Sequence, residues 1–527
     1  MKNLVLGAAI TAALFGGAAQ AAITLDVNGK PVITPADTYE VYLSGASAAR
    51  GFMEQLLVNT KIPAANRLCD ASKTIYKYDD NGNGKDQNAY LCVINPKNPS
   101  LTGLAAGKAN LLVYKRSEGG SAQGVNPLVT ETAIEFLKVD NASKCTGPIV
   151  NSSGLAVLKC AYTVGAKENV QIPDFGISDV DPLQFTGDNT PAGFAPITKA
   201  DAAKLTVKSA AVQAFGIIVS THLRNALQEA QFGATSPCNP KNAKYTTATA
   251  ESSGCMPTLD SAQIASIFTG KLSAWTQLKL GTNNNLFANT SIAENKAGDS
   301  RIHVCRRVSG SGTQAQFTVK FLGYPCNDIA TPPATDTGAL PEGINQTQIH
   351  AMSTSGSVEE CMTELDRGTN NVGTAFNNTY GFRWAIGIQG TENNATKNFD
   401  YRFIKVDGVA PTLVNVANGK YKDWVELTFQ FNKLHVFDQS EKTIVDEIIK
   451  QAGNPVVMGV TNVIANHSWG KAGYMAVPQS FAPTNNGNVI ISKPVNPLSH
   501  GTPTEDTNNC RVPAIYNPSA SAGMQLK

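Results

Sequence analysis

The chain has 527 residues, of which 42% are hydrophobic and 16% are charged, and its formal net charge is +2. A chain of this length and hydrophobicity can bury a substantial core, divided over roughly two to four domains. The near balance of charge excludes bulk electrostatic attraction of nucleic acid or of an acidic membrane surface, so we predict no nucleic-acid partner and only local charge selectivity.

The first 21 residues have the layout of a cleavable signal peptide. Lys2 precedes an apolar run from Leu4 to Phe15, and small residues stand at Ala19 and Ala21. We predict cleavage after Ala21 and no lipid anchor, because no cysteine lies at the cleavage point. No later stretch has the ~20 apolar residues of a membrane helix, so we predict no membrane insertion and a periplasmic or secreted protein.

The ten cysteines all follow this segment and fit an oxidising compartment, where an even set of cysteines can pair. Proximity in the sequence suggests three disulfides: Cys69 with Cys92, Cys145 with Cys160, and Cys238 with Cys255. The cysteines at positions 305, 326, 361 and 510 supply two more bonds, whose pairing stays open.

No metal and no cofactor is predicted. The sequence has no CxxC pair and its six histidines show no zinc-ligand spacing. The stretch DDNGNGKDQNAY resembles a calcium loop in its first positions, but Tyr90 stands where the closing acid is expected, which favours a polar turn.

Helix and strand patterns alternate along the chain, which favours an α/β architecture. Strands are predicted at ANLLVYK (109–115), IHVCR (302–306) and WVELTFQF (424–431). Helices are predicted after the cap Asp260 in SAQIASIFTG, after a capping box formed by Ser357 and Glu360, and in EKTIVDEIIKQAG. Segments around 76–100, 235–256 and 324–346, and from 480 onward, are rich in Asn, Pro, Thr, Gly and Ser and are interpreted as surface insertions.

Four polar loops stand beside these elements. SGASA precedes a helix whose apolar face includes Phe52 and Leu56, and RSEGGSAQGV follows the strand ANLLVYK. In RRVSGSGTQAQF, Arg307 or Arg306 precedes a Ser/Gly loop and a predicted helix start, where backbone N–H groups and the helix dipole favour an anion. An arginine there can bind a tetrahedral oxyanion with two parallel hydrogen bonds.

The fourth loop, PDFGISDVDPL, is acidic, with aspartates at positions 174, 179 and 181. A carboxylate beside an anion is favourable only if the anion carries a proton to donate, as HPO4 and H2PO4 do at neutral pH. Sulfate is fully deprotonated and would be repelled. The acidic loop therefore favours phosphate.

These motifs, in this order, resemble the periplasmic phosphate-binding proteins of ABC phosphate transporters, which have the two-lobed type II solute-binding fold. SGASA resembles the first glycine-rich loop of that family, GGSAQGV its Ser-Ser-Gly-Gly loop, PDFGISDVDPL its Asp-Phe-Gly-Ala-Ser-Asp element, and RRVSGSGTQAQF its Arg-Arg-x-x-Gly-Ser-Gly-Thr loop. VQAFGIIV resembles the strand that crosses between lobes, LDSAQIASIFTGKLSAW a family helix, and NNVGTAFNNTYG the returning strand. The resemblance covers most of residues 40–385.

The resemblance implies a phosphate site in which Arg307 supplies the guanidinium and Asp179 accepts the phosphate proton. The donors that it implies are Ser47, the amide of Ala48, Ser121, Ser311, Gly312 and Thr313. The chain has Ser309 where the family usually has an acid, and Arg50 and Arg116 add cations near the site. A larger or more highly charged phosphorylated ligand is therefore an alternative to orthophosphate.

The implied fold class is α/β, a two-lobed periplasmic-binding-protein type II fold with hinge strands and disulfide-stapled insertions. The implied segments are a signal peptide (1–21), lobe I (22–210), lobe II (211–375), the return to lobe I (376–479) and a loop-rich C-terminal extension (480–527).

The implied function is not enzymatic. The chain is predicted to be an exported solute-binding protein that captures phosphate or a phosphate-like oxyanion in an interlobe cleft, with an ABC transporter permease as partner. The alternative is a secreted or cell-surface scaffold or adhesion protein that has this fold and a modified or lost anion site. An exported hydrolase is disfavoured, because the sequence has no GxSxG elbow, metal-ligand cluster or convincing Ser/His/Asp arrangement.

Overall fold

A computed structural model describes residues 23–81, 86–104, 107–139, 144–151, 154–280, 284–336, 338, 340, 346–369, 381–393, 399–478, 489–502 and 506–516. The predicted signal peptide and most of the stretch NNVGTAFNNTYG lie outside these residues. The expectations for both therefore stay predictions.

The described residues form a mixed sheet of 14 strands. The strands of this sheet are β1 (Thr38–Gly45), β2 (Tyr76–Asp80), β3 (Gln87–Val93), β4 (Asn110–Arg116), β5 (Cys145–Val150), β6 (Ala156–Cys160), β7 (Phe175–Ser178), β8 (Leu205–Ser220), β9 (His303–Arg307), β10 (Gln348–Met352), β11 (Ala385–Gly390), β12 (Tyr401–Phe403), β13 (Trp424–Asn432) and β14 (Tyr474–Ala476). The predicted strands at 109–115, 302–306 and 424–431 are confirmed as β4, β9 and β13.

The helices of five or more residues are α1 (Arg50–Val58), α2 (Asn126–Thr130), α3 (Thr221–Gln231), α4 (Ser261–Phe268), α5 (Gly312–Phe317), α6 (Ser355–Arg367), α7 (Leu413–Ala417), α8 (Gln439–Ala452) and α9 (Pro455–Thr461). A π-helical turn, Thr318–Leu322, continues α5. None of the helices in the described part of the chain is both long enough and apolar enough to cross a bilayer.

The long strand β8 joins the two halves of the sheet. Its first part, Leu205 to Ala214, pairs antiparallel with β13, and its last part, Phe215 to Val219, pairs antiparallel with β11. The strand order is β10-β9-β11-β8-β13-β7-β1-β4-β3-β2-β6-β5. The predicted α/β fold class is confirmed, and the stretch VQAFGIIV lies within the crossing strand. The lobe boundaries stay a prediction.

Helices pack behind each half of the sheet. Phe52 and Leu56 of α1 and Ile448 of α8 are buried in one core with Val41 of β1. Val358, Met362 and Leu365 of α6 are buried in another core with Cys305 of β9. Because these apolar faces are buried, the strands β1 and β9 are held rigidly against the helices, and the loops that follow the two strands begin at fixed positions.

The helix predictions have mixed outcomes. The helices predicted after Asp260 and in EKTIVDEIIKQAG are confirmed as α4 and α8. The capping box at Ser357 and Glu360 is wrong, because α6 begins at Ser355 and its cap is Thr354, whose hydroxyl accepts a hydrogen bond from the Ser357 amide at 3.2 Å. Ser355 therefore lies in the first turn of α6, next to β10.

All ten cysteines are paired. The three short-range disulfides are confirmed. The remaining two are Cys305–Cys361, which ties β9 to α6, and Cys326–Cys510, which ties the C-terminal segment to the chain 184 residues earlier. Five disulfides are typical of proteins that fold in an oxidising compartment.

Candidate functional site

The topology brings the polar loops together at the ends of parallel strands. β4, β1 and β7 are parallel neighbours, with Gly45 opposite Ile177 in the register. β9 and β10 are also parallel neighbours, with Arg307 opposite Met352. The carboxyl ends of parallel strands meet at one edge of a sheet, so the loops that follow these strands can form a common site.

Arg307 is the last residue of β9 and is 1% exposed. Its Nη1 donates to the hydroxyls of Ser47 at 2.7 Å and Ser355 at 3.2 Å, and its Nε and Nη2 donate to the carbonyls of Met352 at 3.1 Å and Ser353 at 2.5 Å. Burial lowers the pKa of Arg307 to about 10, so the guanidinium stays charged at neutral pH. The two carbonyls and two hydroxyls hold the plane of the Arg307 guanidinium in one orientation.

Arg306 points away from Arg307. It donates from Nη1 to the carbonyl of Arg307 at 3.0 Å and from Nη2 to that of Ala334 at 3.1 Å. Successive side chains of a strand point to opposite faces, so only one arginine of the pair can reach the loops. The carbonyls of Met352, the last residue of β10, and of the next residue, Ser353, restrain the guanidinium of Arg307.

Asp179 directly follows β7 and is 1% exposed. Its Oδ2 accepts from Thr313 Oγ1 at 3.1 Å, and its amide donates to Ser121 Oγ at 3.2 Å. Its Oδ1 is buried and has no hydrogen-bond partner among the described residues. Burial raises the pKa of Asp179 to about 6, and the charge of Arg307 opposes that rise. A buried acceptor without a donor is rare, and a ligand that carries a proton can satisfy it.

Loops from the two halves of the sheet touch at two glycines. A Cβ on Gly312 would lie 2.3 Å from Ser121 Oγ and 2.7 Å from the Cβ of Asp179. A Cβ on Gly120, whose φ is +72°, would lie 2.9 Å from the Cα of Ser311. All three distances are too short for any side chain, so the close approach depends on glycine.

The structure thus brings six of the predicted site residues together: Ser47, Ser121, Asp179, Arg307, Gly312 and Thr313. The other two lie beside them with groups already engaged. Ser311 caps α5, its hydroxyl accepting from the Gln314 amide at 3.4 Å. Ala48 is buried, and its carbonyl accepts from the Tyr474 hydroxyl at 3.2 Å. Their roles toward a ligand stay predictions.

The three aspartates of PDFGISDVDPL do not act as one cluster. Asp174 accepts from a backbone amide of β1 at 2.7 Å, and Asp181 accepts from the Asn509 amide at 2.8 Å. Arg116 is also engaged elsewhere, since its Nη2 lies 3.1 Å from Glu118 Oε2. Only one aspartate of the loop contacts the residues around Arg307.

Ser355 and Lys115 belong to the site although neither was predicted. Lys115 is 1% exposed, and its Nζ donates to the carbonyl of Gly45 at 3.0 Å. Burial lowers the pKa of Lys115 to about 7. Alternation along β4 could not have identified this residue, because Leu112 and Tyr114 on the other face of the strand are buried as well. Ser355 lies at a helix start that the capping pattern places three residues too late, at Ser357 and not at Thr354.

No protein-family model and no curated protein sequence matches the chain. The solved structures that it resembles include an ABC-type phosphate transport receptor from Vibrio cholerae, with 11% identity, 77% of this chain and 93% of that chain covered and a TM-score of 0.34. They also include PstS from Borrelia burgdorferi (12% identity, 79% and 97% covered, TM-score 0.28) and a high-affinity periplasmic phosphate-binding protein, PfluDING, bound with phosphate (12% identity, 78% and 84% covered, TM-score 0.33). Identities and TM-scores this low do not show which ligand this chain binds. The assignment of a ligand depends on the geometry of this chain's own residues.

Proposed function

We propose that the chain is an exported solute-binding protein that binds inorganic phosphate, or a phosphate-like oxyanion, among the loops after β1, β4, β7, β9 and β10. One observation carries the proposal: the buried guanidinium of Arg307 lies in the same cluster as a buried carboxylate, Asp179, whose Oδ1 has no donor in the described part of the chain. A protonated phosphate satisfies both groups, because it accepts from arginine and donates to aspartate. A fully deprotonated anion is attracted by the first group and repelled by the second.

Neutral donors support this assignment. The hydroxyls of Ser47 and Ser355 lie at the guanidinium, and those of Ser121 and Thr313 lie at Asp179. Hydrogen bonds between a charged and a neutral group are stronger where water is excluded, as in this buried cluster. The set can bind and orient an anion through these hydroxyls and the two charged groups. Delivery to an ABC transporter permease is the partner role that we propose.

The test is calorimetric titration of the purified protein with phosphate, with and without sulfate. We expect saturable phosphate binding that sulfate at equal concentration does not displace. In Asp179→Asn the amide donates as well as accepts, so sulfate should compete. Asp174→Asn is the matched control, because this aspartate stands five residues earlier and is bonded to β1; it should keep the selectivity of the parent.

The same titration decides between this function and the scaffold alternative. One observation favours a structural role for Arg307: four of its five N–H donors already have hydroxyl or carbonyl partners in the chain. If the folded parent shows no saturable phosphate binding, the secreted or cell-surface scaffold becomes the better assignment. If sulfate displaces phosphate from the parent, Asp179 is not the acceptor of a phosphate proton.

A further inference from the structure

We call the loops after β1, β4, β7, β9 and β10 the oxyanion loops. A separate cavity, which we call the strap cavity, has a volume of about 700 Å³ and shares no lining residue with them. Its walls come from three segments: residues 319–328 after α5, residues 419–424, which end at the first residue of β13, and Leu498 with residues 509–513 in the C-terminal part of the chain. The disulfide Cys326–Cys510 joins the first wall to the third. The cavity is therefore built from chain segments that a covalent bond holds in place.

The lining of the strap cavity is cationic. Lys320, Lys422 and Arg511 line it, and Asp328 is the one acidic side chain among its described lining residues. Lys422 is exposed, whereas Lys320 is half-buried. An excess of positive charge on the wall of a cavity attracts anionic ligands.

Lys320 has a neutral group as its direct partner. Its Nζ lies 2.7 Å from His500 Nε2, and His500 Nδ1 lies 3.0 Å from Glu426 Oε2. Burial lowers the pKa of His500 to about 4, so the imidazole is neutral at pH 7, donates from Nδ1 to Glu426 and accepts from Lys320. Within the described residues no carboxylate forms an ion pair with Lys320.

The charge of Lys320 is therefore only partly compensated. Burial lowers the pKa of Lys320 to about 8, although the carboxyl groups of Asp423 and Glu426 attract the ammonium at longer range. An anion in the cavity would attract the ammonium and so offset part of its desolvation penalty.

Another part of the lining is apolar and aromatic. The Trp424 ring lies 5.8 Å from Lys320 Nζ, and Leu498, Val512 and Pro513 line the cavity as well. A volume of several hundred Å³, apolar walls and a few charged groups are the usual features of a small-molecule site. We propose that the strap cavity is a second ligand site, which binds a small organic anion with its charged group at Lys320 and its apolar body against Trp424 and Leu498.

The test uses two fluorescent probes that differ in charge, 8-anilinonaphthalene-1-sulfonate and the neutral N-phenyl-1-naphthylamine, titrated into the purified full chain. We expect one saturable sulfonate site per chain and binding of the neutral probe that is weaker by about tenfold or more. Lys320→Met should weaken sulfonate binding by about tenfold, the loss of one charge-assisted contact. Lys422→Met should weaken it less, because Lys422 is exposed to solvent.

Lys61→Met is the matched control, because this exposed lysine lines a different cavity, and it should bind the probe like the parent. Millimolar inorganic phosphate should not displace the probe, which separates this site from the oxyanion loops. The proposal is overturned if Lys320→Met binds the sulfonate like the parent, if the neutral probe binds equally well, or if phosphate displaces the sulfonate. Should Lys320→Met fail to fold by circular dichroism, Lys422→Met decides: weaker binding supports the site, and unchanged binding overturns it.

Discussion

Burial shifts the pKa values of the two charged residues, Arg307 and Asp179, in opposite directions. It lowers the pKa of Arg307 to about 10 and raises that of Asp179 to about 6. Both groups still carry charge near neutral pH. Because the folded-state pKa of Asp179 lies above the ordinary value of 3.8, its ionisation destabilises the folded chain above about pH 6, and this destabilisation is lost as the pH falls toward 3.8. At neutral pH the ionised Asp179 can therefore accept a proton from a ligand, but its burial lowers the stability of the folded chain.

This pKa gives a pH-dependent selectivity. We expect sulfate to compete with phosphate at about pH 5 and not at about pH 8, because protonated Asp179 can donate to an anion that carries no proton. Competition calorimetry at the two pH values measures this. In Asp179→Asn sulfate should compete at both, and any smaller pH dependence that remains there comes from other groups that titrate in this range, which are Lys115, whose pKa is about 7, and phosphate itself. Equal sulfate competition by the parent at both pH values would contradict the prediction.

Gly312 is the second residue for which the site makes a sharp prediction. An added Cβ at Gly312 meets Ser121 and Asp179, so Gly312→Ala should push the two loops apart, cost about 1–3 kcal/mol of stability and weaken phosphate binding. Gly51→Ala is the control, because a Cβ at Gly51 in α1 meets nothing within 4 Å. That variant should bind normally and gain roughly 0.5–1 kcal/mol. Thermal unfolding and calorimetry report both quantities, and an unchanged affinity in Gly312→Ala would refute the close packing of the loops.

At the scale of elements, the helices α6 and α7 both begin with a threonine cap, but only α6 contacts the site. Thr354 caps α6 by accepting from the Ser357 amide, and Thr412 caps α7 by accepting from the Asn415 amide, each at 3.2 Å. Only the first turn of α6 contacts Arg307, through Ser355. Substitution of Thr354 and of Thr412 therefore distinguishes an effect on helix stability from an effect on ligand affinity.

We expect Thr354→Ala and Thr412→Ala each to lose about 1 kcal/mol of unfolding free energy, since each leaves backbone amides of a first turn without the cap. Phosphate affinity should fall only in Thr354→Ala, because fraying of α6 moves Ser355 away from the guanidinium. Urea unfolding and calorimetric titration of both variants check the prediction. Equal affinities in the two variants would mean that the α6 terminus does not support the site.

At the scale of the whole molecule, the C-terminal segment connects parts of the chain that are far apart in sequence. Cys510 is bonded to Cys326 after α5, and the adjacent Asn509 exchanges two hydrogen bonds with Asp181, at 2.7 and 2.8 Å. Asp181 stands two residues after Asp179. The segment thus links the chain after α5, the helix that follows the Ser/Gly loop, to the acidic loop after β7, and it restrains the separation of these two parts.

Removal of this link should affect both stability and binding. The double variant Cys326→Ser, Cys510→Ser opens a loop with a sequence separation of 184, and loop entropy gives an upper loss of roughly 5 kcal/mol. Cys145→Ser, Cys160→Ser opens a separation of 15 and should lose roughly 3 kcal/mol. Urea unfolding measures these losses, and stopped-flow displacement should show faster phosphate release only in the first variant. Equal release rates would show that the C-terminal segment does not restrain the site.

Sequence by itself determined the features that depend on near neighbours. The strands β4, β9 and β13, the helices α4 and α8 and three short-range disulfides were predicted from periodicity, caps and spacing, because each of these is a property of a few adjacent residues. The glycine-rich loops were also predicted, because clusters of Gly and Ser beside strand and helix patterns are visible in the sequence itself.

Tertiary structure alone decided which groups meet in these loops. The carbonyls that hold Arg307 lie 45 and 46 residues later in the chain, Cys510 lies 184 residues from its partner, and Lys115 reaches Gly45 only through the parallel pairing of β1 and β4. The unpaired oxygen of Asp179 and the neutral partner of Lys320 depend likewise on distant segments. Hydrogen-bond direction and burial are set by how the long crossing strand folds the two halves together, and local sequence carries no record of that arrangement.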